Sequence, residues 1–383
     1  MQFDYLIAGG GLQAGLLVLA LRHRQPTARI ALIERADRLG GNHTWSFHEA
    51  DVPAGTWPII RPLISASWPA YRVRFPGLQR IVRSPYHSIL SDRFDAVVRA
   101  AVEHPGSLLR LSAEVSTLAV SGLALADGTE FTGRCVIDAR GATVVSGPSG
   151  WQTFLGLEVE LDSPWPDELP TIMDATVPQD DGYRFVYVLP LSPTRVLVEE
   201  TYFADSPALD HVRLRERVGD YLRTTGFKTW RVLREESGVL PMPWTGRAPA
   251  TLAPLRTGGA GGWFHPATGY SFPVALRLAL AIAAVEPERA IPAAASLARR
   301  LSWRLRFARS LNRLLFRAVR PANRWRVFRR LYRSLPDTAL ARFYAMEFSA
   351  ADAARILVGR PPPIDPIRLI TRPEVWSCPP LPH

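Results

Sequence analysis

The chain has 383 residues, 47% apolar and 21% charged, a balance that excludes wholesale disorder and gives length for two to three domains of ~150 residues. Scattered prolines exclude collagen-like and low-complexity architectures; two cysteines and eight dispersed histidines exclude a disulfide scaffold, fit a reducing compartment and leave no metal-ligand spacing. Of the net charge of +11, twelve arginines without a single acid fall between Ala298 and Arg330, so the rest is nearly neutral and no nucleic-acid partner is expected.

Phe3 to Ala8 reads as a buried strand, Leu12 to Arg22 as a helix and Ala28 to Glu34 as a second strand ending on an acid. Strand, Gly-rich turn, helix and strand make a βαβ unit, which implies a parallel sheet covered by helices rather than a signal peptide. From Arg110 to Ala139 the pattern shortens into a meander around Ala126-Asp127-Gly128, a tight-turn sequence. Tyr183 to Leu189 and Arg195 to Tyr202 read as a hairpin across Pro190–Thr194. An Ala/Leu-rich helix starts near Val274, basic helices run to about residue 358, and the Pro-rich tail from Pro361 reads as irregular. The run Phe272 to Val285 is too short to cross a bilayer and contains Arg277. The expected fold class is α/β: a Rossmann-like FAD-binding domain (1–60, 108–150 and 250–290), a mixed β-sheet substrate domain (61–107 and 151–249) and a C-terminal helical, membrane-associated region (291–383).

The first turn fits G-x-G-x-x-A/G on Gly9, Gly11 and Ala14, with Gly15 beside the third position. Gly9 permits the sharp exit from the strand, Gly11 lets backbone approach a pyrophosphate, and Ala14 or Gly15 allows close helix–strand packing. The helix start aims N–H groups and the positive dipole end at phosphate. Glu34, 23 residues beyond Gly11, is placed for two ribose hydroxyls and repels a 2′-phosphate, favouring FAD or NAD over NADP. Two later turns favour FAD: Asp138 to Gly141 closes the meander, and the cluster around Gly261 and Gly262, followed by Gly269, precedes a helix.

Longer strings then carry a resemblance. They are GGNHTWSFH at 40–48, MDATV at 173–177, GYRFVY at 182–187, LPLSPTR at 189–195, Glu199-Glu200-Thr201 and FHPATGYS at 264–271. Together they resemble the bacterial lycopene β-cyclase family from residue 3 to about 360. The resemblance implies a membrane-associated enzyme that closes β-ionone rings at both ends of lycopene, by way of γ-carotene. It further implies reduced FAD, with NAD(P)H as the expected donor, in a redox-neutral isomerisation. Oligomeric state is left open. The alternative is a flavin monooxygenase or polyprenyl reductase acting on a membrane lipid.

Ring closure of this kind needs an acid to protonate a terminal alkene, electron-rich groups facing the cation, and exclusion of water. The family points to the Glu-Glu-Thr stretch. Glu199 and Glu200, adjacent on a strand, face opposite ways. Glu199, which shares a face with Leu197 and Thr201, is the favoured acid, and Glu200 remains the alternative. Tyr183, Phe185 and Tyr187 fall on one face by the two-residue period, as sheet packing or as a cation-stabilising wall. His43, Trp45, Phe47, His265 and Tyr270 are further pocket candidates from the family strings, with His48 beside them. Arginines interleaved with apolar residues from Leu297 to Tyr332 suit helices lying in an anionic membrane interface, apolar face down, the favoured reading, which places the chain peripherally on the cytoplasmic side; the alternative is a solvated basic helix pair packed on the body.

Overall fold

The computed structural model describes residues 2–141, 147–179, 182–246, 249 and 251–358. The chain opens with β1 (Gln2–Ala8), α1 (Leu12–Arg24) and β2 (Ile30–Ile33), followed by β3 (Thr44–His48) and the short α2 (Trp57–Ile60). Next come β4 (Ala66–Trp68), the hairpin β5 (Tyr71–Phe75) and β6 (Leu78–Val82), β7 (Tyr86–Leu90) and α3 (Ser91–Val102). The expected meander is β8 (Leu108–Arg110), β9 (Val115–Ala119), β10 (Gly122–Leu125) and β11 (Glu130–Asp138), with the Asp127-Gly128 turn between the last two. The middle region holds β12 (Ser149–Leu161), β13 (Thr171–Asp174), β14 (Tyr183–Pro190), β15 (Arg195–Ala204), α4 (His211–Thr224) and β16 (Trp230–Pro243). β17 (Leu255–Arg256), α5 (Phe272–Ala283), α6 (Ala290–Ala318), α7 (Trp325–Ser334), α8 (Asp337–Tyr344) and α9 (Ala350–Leu357) complete it.

Among the described residues these strands form two seven-stranded sheets and one of three strands. In the first, β8, β2, β1, β11 and β17 run parallel, and β10 and β9 extend it antiparallel. Leu16, Leu17 and Leu21 of α1, with α5, fill the core on one side of this sheet. α5, the most apolar segment of the chain, is therefore an internal helix of the nucleotide half, and no described helix is long and apolar enough to cross a membrane. The second sheet has the order β16-β12-β15-β14-β13-β5-β6. The small sheet, β3-β7-β4, lies between the two cores.

Two expectations need amendment. The segment 61–107 divides: β5 and β6 join the second sheet, whereas Phe94, Val98 and Val102 of α3 enter the core of the nucleotide half. The C-terminal helices turn most of their apolar residues inward, although Leu314 of α6 and Leu357 of α9 are exposed. Leu301 and Leu305 of α6 are buried in the first core, and Leu315, Phe316, Trp325 and Phe328 in the second. Arg324 is itself fully buried, donating to the Phe203 carbonyl at 3.0 Å and to the Asp205 carboxylate. The apolar stripe closes the protein, and what reaches the surface of α6 and α7 is chiefly arginine: Arg299, Arg300, Arg306, Arg313 and Arg326. Residues from 359 onward, including the Pro-rich tail and Cys378, lie outside the described residues.

Candidate active site

The parallel strands of the first sheet end together at one edge. β1 lies between β2 and β11, and its carboxyl end opens into the glycine turn at the edge where α/β folds bind ligands. Gly9 has φ +98°, and a Cβ there would lie 2.7 Å from the Ala139 and Arg140 backbone. The first turn and the Asp138–Gly141 turn are thus packed backbone to backbone. A Cβ at Gly11 meets nothing within 4 Å, which leaves open space over the start of α1. That helix start has no side-chain cap and no acid in its first turn, so its N–H groups remain available to an anion. Ala14 is fully buried. The close approach at Gly15 is to α3, where a Cβ would lie 2.2 Å from Phe94, so the contact is helix to helix and not helix to strand as the fingerprint implies.

Glu34 follows β2 and accepts the N–H groups of Gly10 at 2.6 Å and Ala36 at 2.9 Å. These bonds fix the carboxylate beside the turn. Asp138 binds Arg140 at 2.9 Å, and its carbonyl accepts the Thr257 N–H at 2.8 Å. This links β11 to the later glycine turn. In that turn Gly262 has φ +79°, and a Cβ at Gly261 would lie 2.3 Å from the Arg256 carbonyl oxygen. Gly269, φ +68°, sits 3.0–3.3 Å (as a built Cβ) from Leu240 and Gln152, and so brings this loop onto the second sheet. Gly141 has open space around it.

The second sheet has two faces of different character. Val186, Val188, Val196, Val198 and Tyr202 pack beneath Leu214, Val218 and Leu222 of α4. Glu200 is on this face, fully buried, and Arg184 binds it through Nε and, at 3.2 Å, through Nη2. Burial raises the Glu200 pKa, and the Arg184 bonds and charge oppose that rise.

The opposite face carries Glu199. The register pairs Tyr187 with Glu199, Phe185 with Thr201 and Tyr183 with Phe203, which puts all six on one side. Glu199 Oε1 accepts from Thr201 Oγ1 at 2.6 Å. Across the neighbouring strand, Gly156 pairs with both Glu199 and Glu236. A Cβ at Gly156 would lie 3.3 Å from Glu199 and 3.4 Å from Glu236, so the two carboxyl side chains flank a glycine. Burial, and then the Glu236 charge, push the Glu199 carboxyl up to about 8, against the opposing Thr201 bond. Glu236 was not apparent from the sequence. It is held by Arg234 at 2.8 Å and Thr44 at 2.9 Å, on a strand whose neighbours only the long-range pairing defines.

The GGNHTWSFH string enters this face through β3. Thr44 reaches Glu236, and Ser46 bonds Tyr187 Oη at 2.7 Å, which in turn meets Tyr86 Oη at 3.1 Å. Trp45 and Phe47, on the other face of β3, point away from Glu199: Trp45 packs on Phe94, and Phe47 is fully buried and stacked on Phe272 at 4.2 Å. His43 is exposed at the rim. His48 and His265 are buried and burial pushes both down to about 3, which keeps them neutral. Tyr183 is fully buried, stacked on Phe328 at 4.4 Å, and Phe185 lies against it at 5.0 Å. These two close the floor. Phe154, Tyr187, Glu199, Leu240 and Tyr270 keep part of their surface open on this inner face. No cluster of three or more His, Cys, Asp or Glu suited to a metal occurs among the described residues.

A family model described as lycopene cyclase protein matches residues 4–369. The lycopene beta-cyclase of Pseudescherichia vulneris is 42% identical over 368 residues, 94% of each chain. That of Pantoea ananas is 41% identical over 367 residues, 94% of this chain and 95% of the relative. A solved structure, a geranylgeranyl bacteriochlorophyll reductase-like protein of Thermoplasma acidophilum, superposes with a TM-score of 0.65 at 12% identity, over 93% of this chain and 96% of that one.

Proposed function

The chain belongs to the lycopene cyclase family, and we propose that it closes β-rings at both ends of lycopene, by way of γ-carotene, with Glu199 as the acid that starts each closure. The observation that carries this reading is the position of Glu199: an inner-face carboxyl, opposite Tyr187 and beside Glu236, that stays protonated through neutral pH. Such a group delivers a proton to the terminal alkene and leaves a tertiary cation on the substrate. The neighbouring double bond attacks that carbon, and a six-membered ring forms. Tyr187 presents its ring on the same face, worth roughly 0.5–2 kcal/mol to a facing cation. Glu199, once it has given up its proton, supplies negative charge at the same place. Tyr183 and Phe185 exclude water from below. Glu200, held by Arg184 on the other face, organises the hairpin and is the less favoured acid.

The nucleotide half fits FAD. The uncapped start of α1, the space above Gly11 and the fixed carboxylate of Glu34 would hold its phosphates and ribose, and the loop from Gly261 to Gly269 would carry its ring system toward the second sheet. Bound in its reduced form, with NAD(P)H as donor, FAD supplies an anionic, electron-rich surface to a site that develops positive charge. Gly11→Val tests this placement: its side chain has room in the protein, so the fold and a melting temperature equal to that of flavin-free wild type are expected while visible flavin absorbance is lost.

The exposed arginines of α6 and α7 dock the enzyme on anionic lipid chiefly by charge, since most of their apolar partners, Leu314 excepted, are engaged in the cores. Replacing Arg299, Arg300, Arg306, Arg313, Arg326 and Arg333 by Gln is expected to abolish co-sedimentation with anionic liposomes at low salt, and unchanged sedimentation would refute the docking. The activity itself is tested by expression in a lycopene-accumulating bacterium. A red-to-yellow shift with unchanged pigment mass is expected, whereas a hydrogenated or oxygenated product would identify a reductase or monooxygenase.

A further inference from the structure

Ring closure that begins with a proton must end with one leaving the ring, and a second buried carboxyl lies along the same wall. Asp51 follows β3 and is almost inaccessible. Its Oδ2 accepts the His48 N–H at 2.8 Å and the Tyr270 phenol, while its Oδ1 is buried with no hydrogen-bond partner among the described residues. The His48 N–H also reaches Tyr270 Oη at 3.3 Å. Around this pair stand aromatic rings: from the neutral His48 ring, Tyr86 lies at 5.0 Å, Tyr344 at 5.8 Å and Tyr270 at 6.1 Å. Tyr86 Oη meets Tyr187 Oη, and Tyr187 faces Glu199. Tyr270, the His48 ring, Tyr86 and Tyr187 therefore form one row between the two carboxyl groups, and Tyr270 keeps part of its surface open.

We propose that Tyr270 takes the proton that leaves the new ring, with Asp51 as the positioning residue that receives the phenol's own proton. The inference rests on the cyclase reading above. In this step the ring C–H bond breaks, its electron pair becomes the ring double bond, the proton bonds to Tyr270 Oη, and the Oη proton passes to Asp51 Oδ2. Asp51 then releases its proton to water and Glu199 regains one from water, so no net proton is consumed. Asp51 Oδ2 already accepts the Tyr270 phenol, so the proton has a formed hydrogen bond along which to move. This role also explains why an acid, with a second oxygen left unpartnered among the described residues, is buried where a capping side chain needs only one acceptor atom.

The groups facing Asp51 are His48, Tyr86, Tyr270, Tyr344, Arg277 and Glu347; burial, opposed by the Tyr270 and His48 bonds and the Arg277 charge, pushes it up to about 7. Activity therefore needs Asp51 ionised and Glu199 protonated, which gives a bell-shaped profile with its rise near pH 7 and its fall near pH 8.

The test uses the holoenzyme in lipid, with Asp51→Asn and Tyr270→Phe. Asp51→Asn keeps an oxygen for the His48 N–H, and Tyr270→Phe removes only the hydroxyl. Each is expected to slow ring formation by about 100-fold, to yield ring isomers whose double bond lies elsewhere, and in Asp51→Asn to erase the rise near pH 7. Wild-type products and an intact rise in both variants, at any rate, would overturn the proposal and leave Asp51 a cap. A wild-type enzyme that forms no rings would instead refute the cyclase reading itself.

Discussion

Glu199→Gln is expected to lower cyclisation by at least about 10³-fold while leaving flavin content and secondary structure intact. The amide matches the carboxyl in shape and keeps an acceptor for Thr201 Oγ1, so only the transferable proton is lost. Glu199→Asp keeps the proton but withdraws it by a methylene, and an intermediate rate is expected. The pH dependence has a definite sign. The folded protein holds the Glu199 proton more tightly than the unfolded chain, since burial and Glu236 raise the group from 4.5 to about 8. Its stabilising contribution is thus present in full below pH 4.5 and is lost as pH rises through about 8. Glu199→Gln removes that loss. Relative to wild type, the variant should gain melting temperature between pH 5 and pH 9 as it loses activity, a combination that general misfolding cannot produce.

Glu200→Gln should do nearly the reverse. Glu200 and Arg184 form an ion pair sealed beneath α4, and removing one charge strands the other in a medium that cannot solvate it. A loss of about 3–5 kcal/mol in stability is expected, measurable by denaturant titration. Arg184→Met should cost a similar amount, and the double variant Glu200→Leu with Arg184→Met less than either alone. At a temperature where the Gln variant remains folded, ring closure should proceed at close to the wild-type rate. A stable Glu200→Gln protein without activity would instead transfer the acid's role from Glu199 to Glu200.

Local pattern carried much of this architecture. The βαβ unit is legible because its glycines, helix and terminal acid are contiguous, and the observed β1, α1 and β2 differ from expectation by one or two residues at their ends. The period of two placed Glu199 with Leu197 and Thr201, and the observed register agrees. Pairings remote in sequence were not legible. Glu236 neighbours Glu199 only because β12 inserts between β15 and β16, and Gly156 leaves room for both side chains. Tyr183 and Phe185 share the site's face yet are sealed by Phe328, a residue of α7 whose destination no local pattern specifies. The same blindness affected α6 and α7: alternation of Arg with Leu and Trp reads equally well as a helix on a membrane or on a protein core. Asp51 carries a weaker signal, an acid three residues after His48 at the end of β3, and its significance depends on Tyr270 arriving from more than 200 residues away.

Deuterium content of the product after cyclisation in D2O tests the central claim most directly. Wild-type enzyme should place one non-exchangeable deuterium on the ring at every end it closes, at a rate that falls above about pH 8, and Glu199→Gln should place none. Rings formed without deuterium, or labelled equally well by Glu199→Gln, would contradict the assignment of Glu199 as the acid.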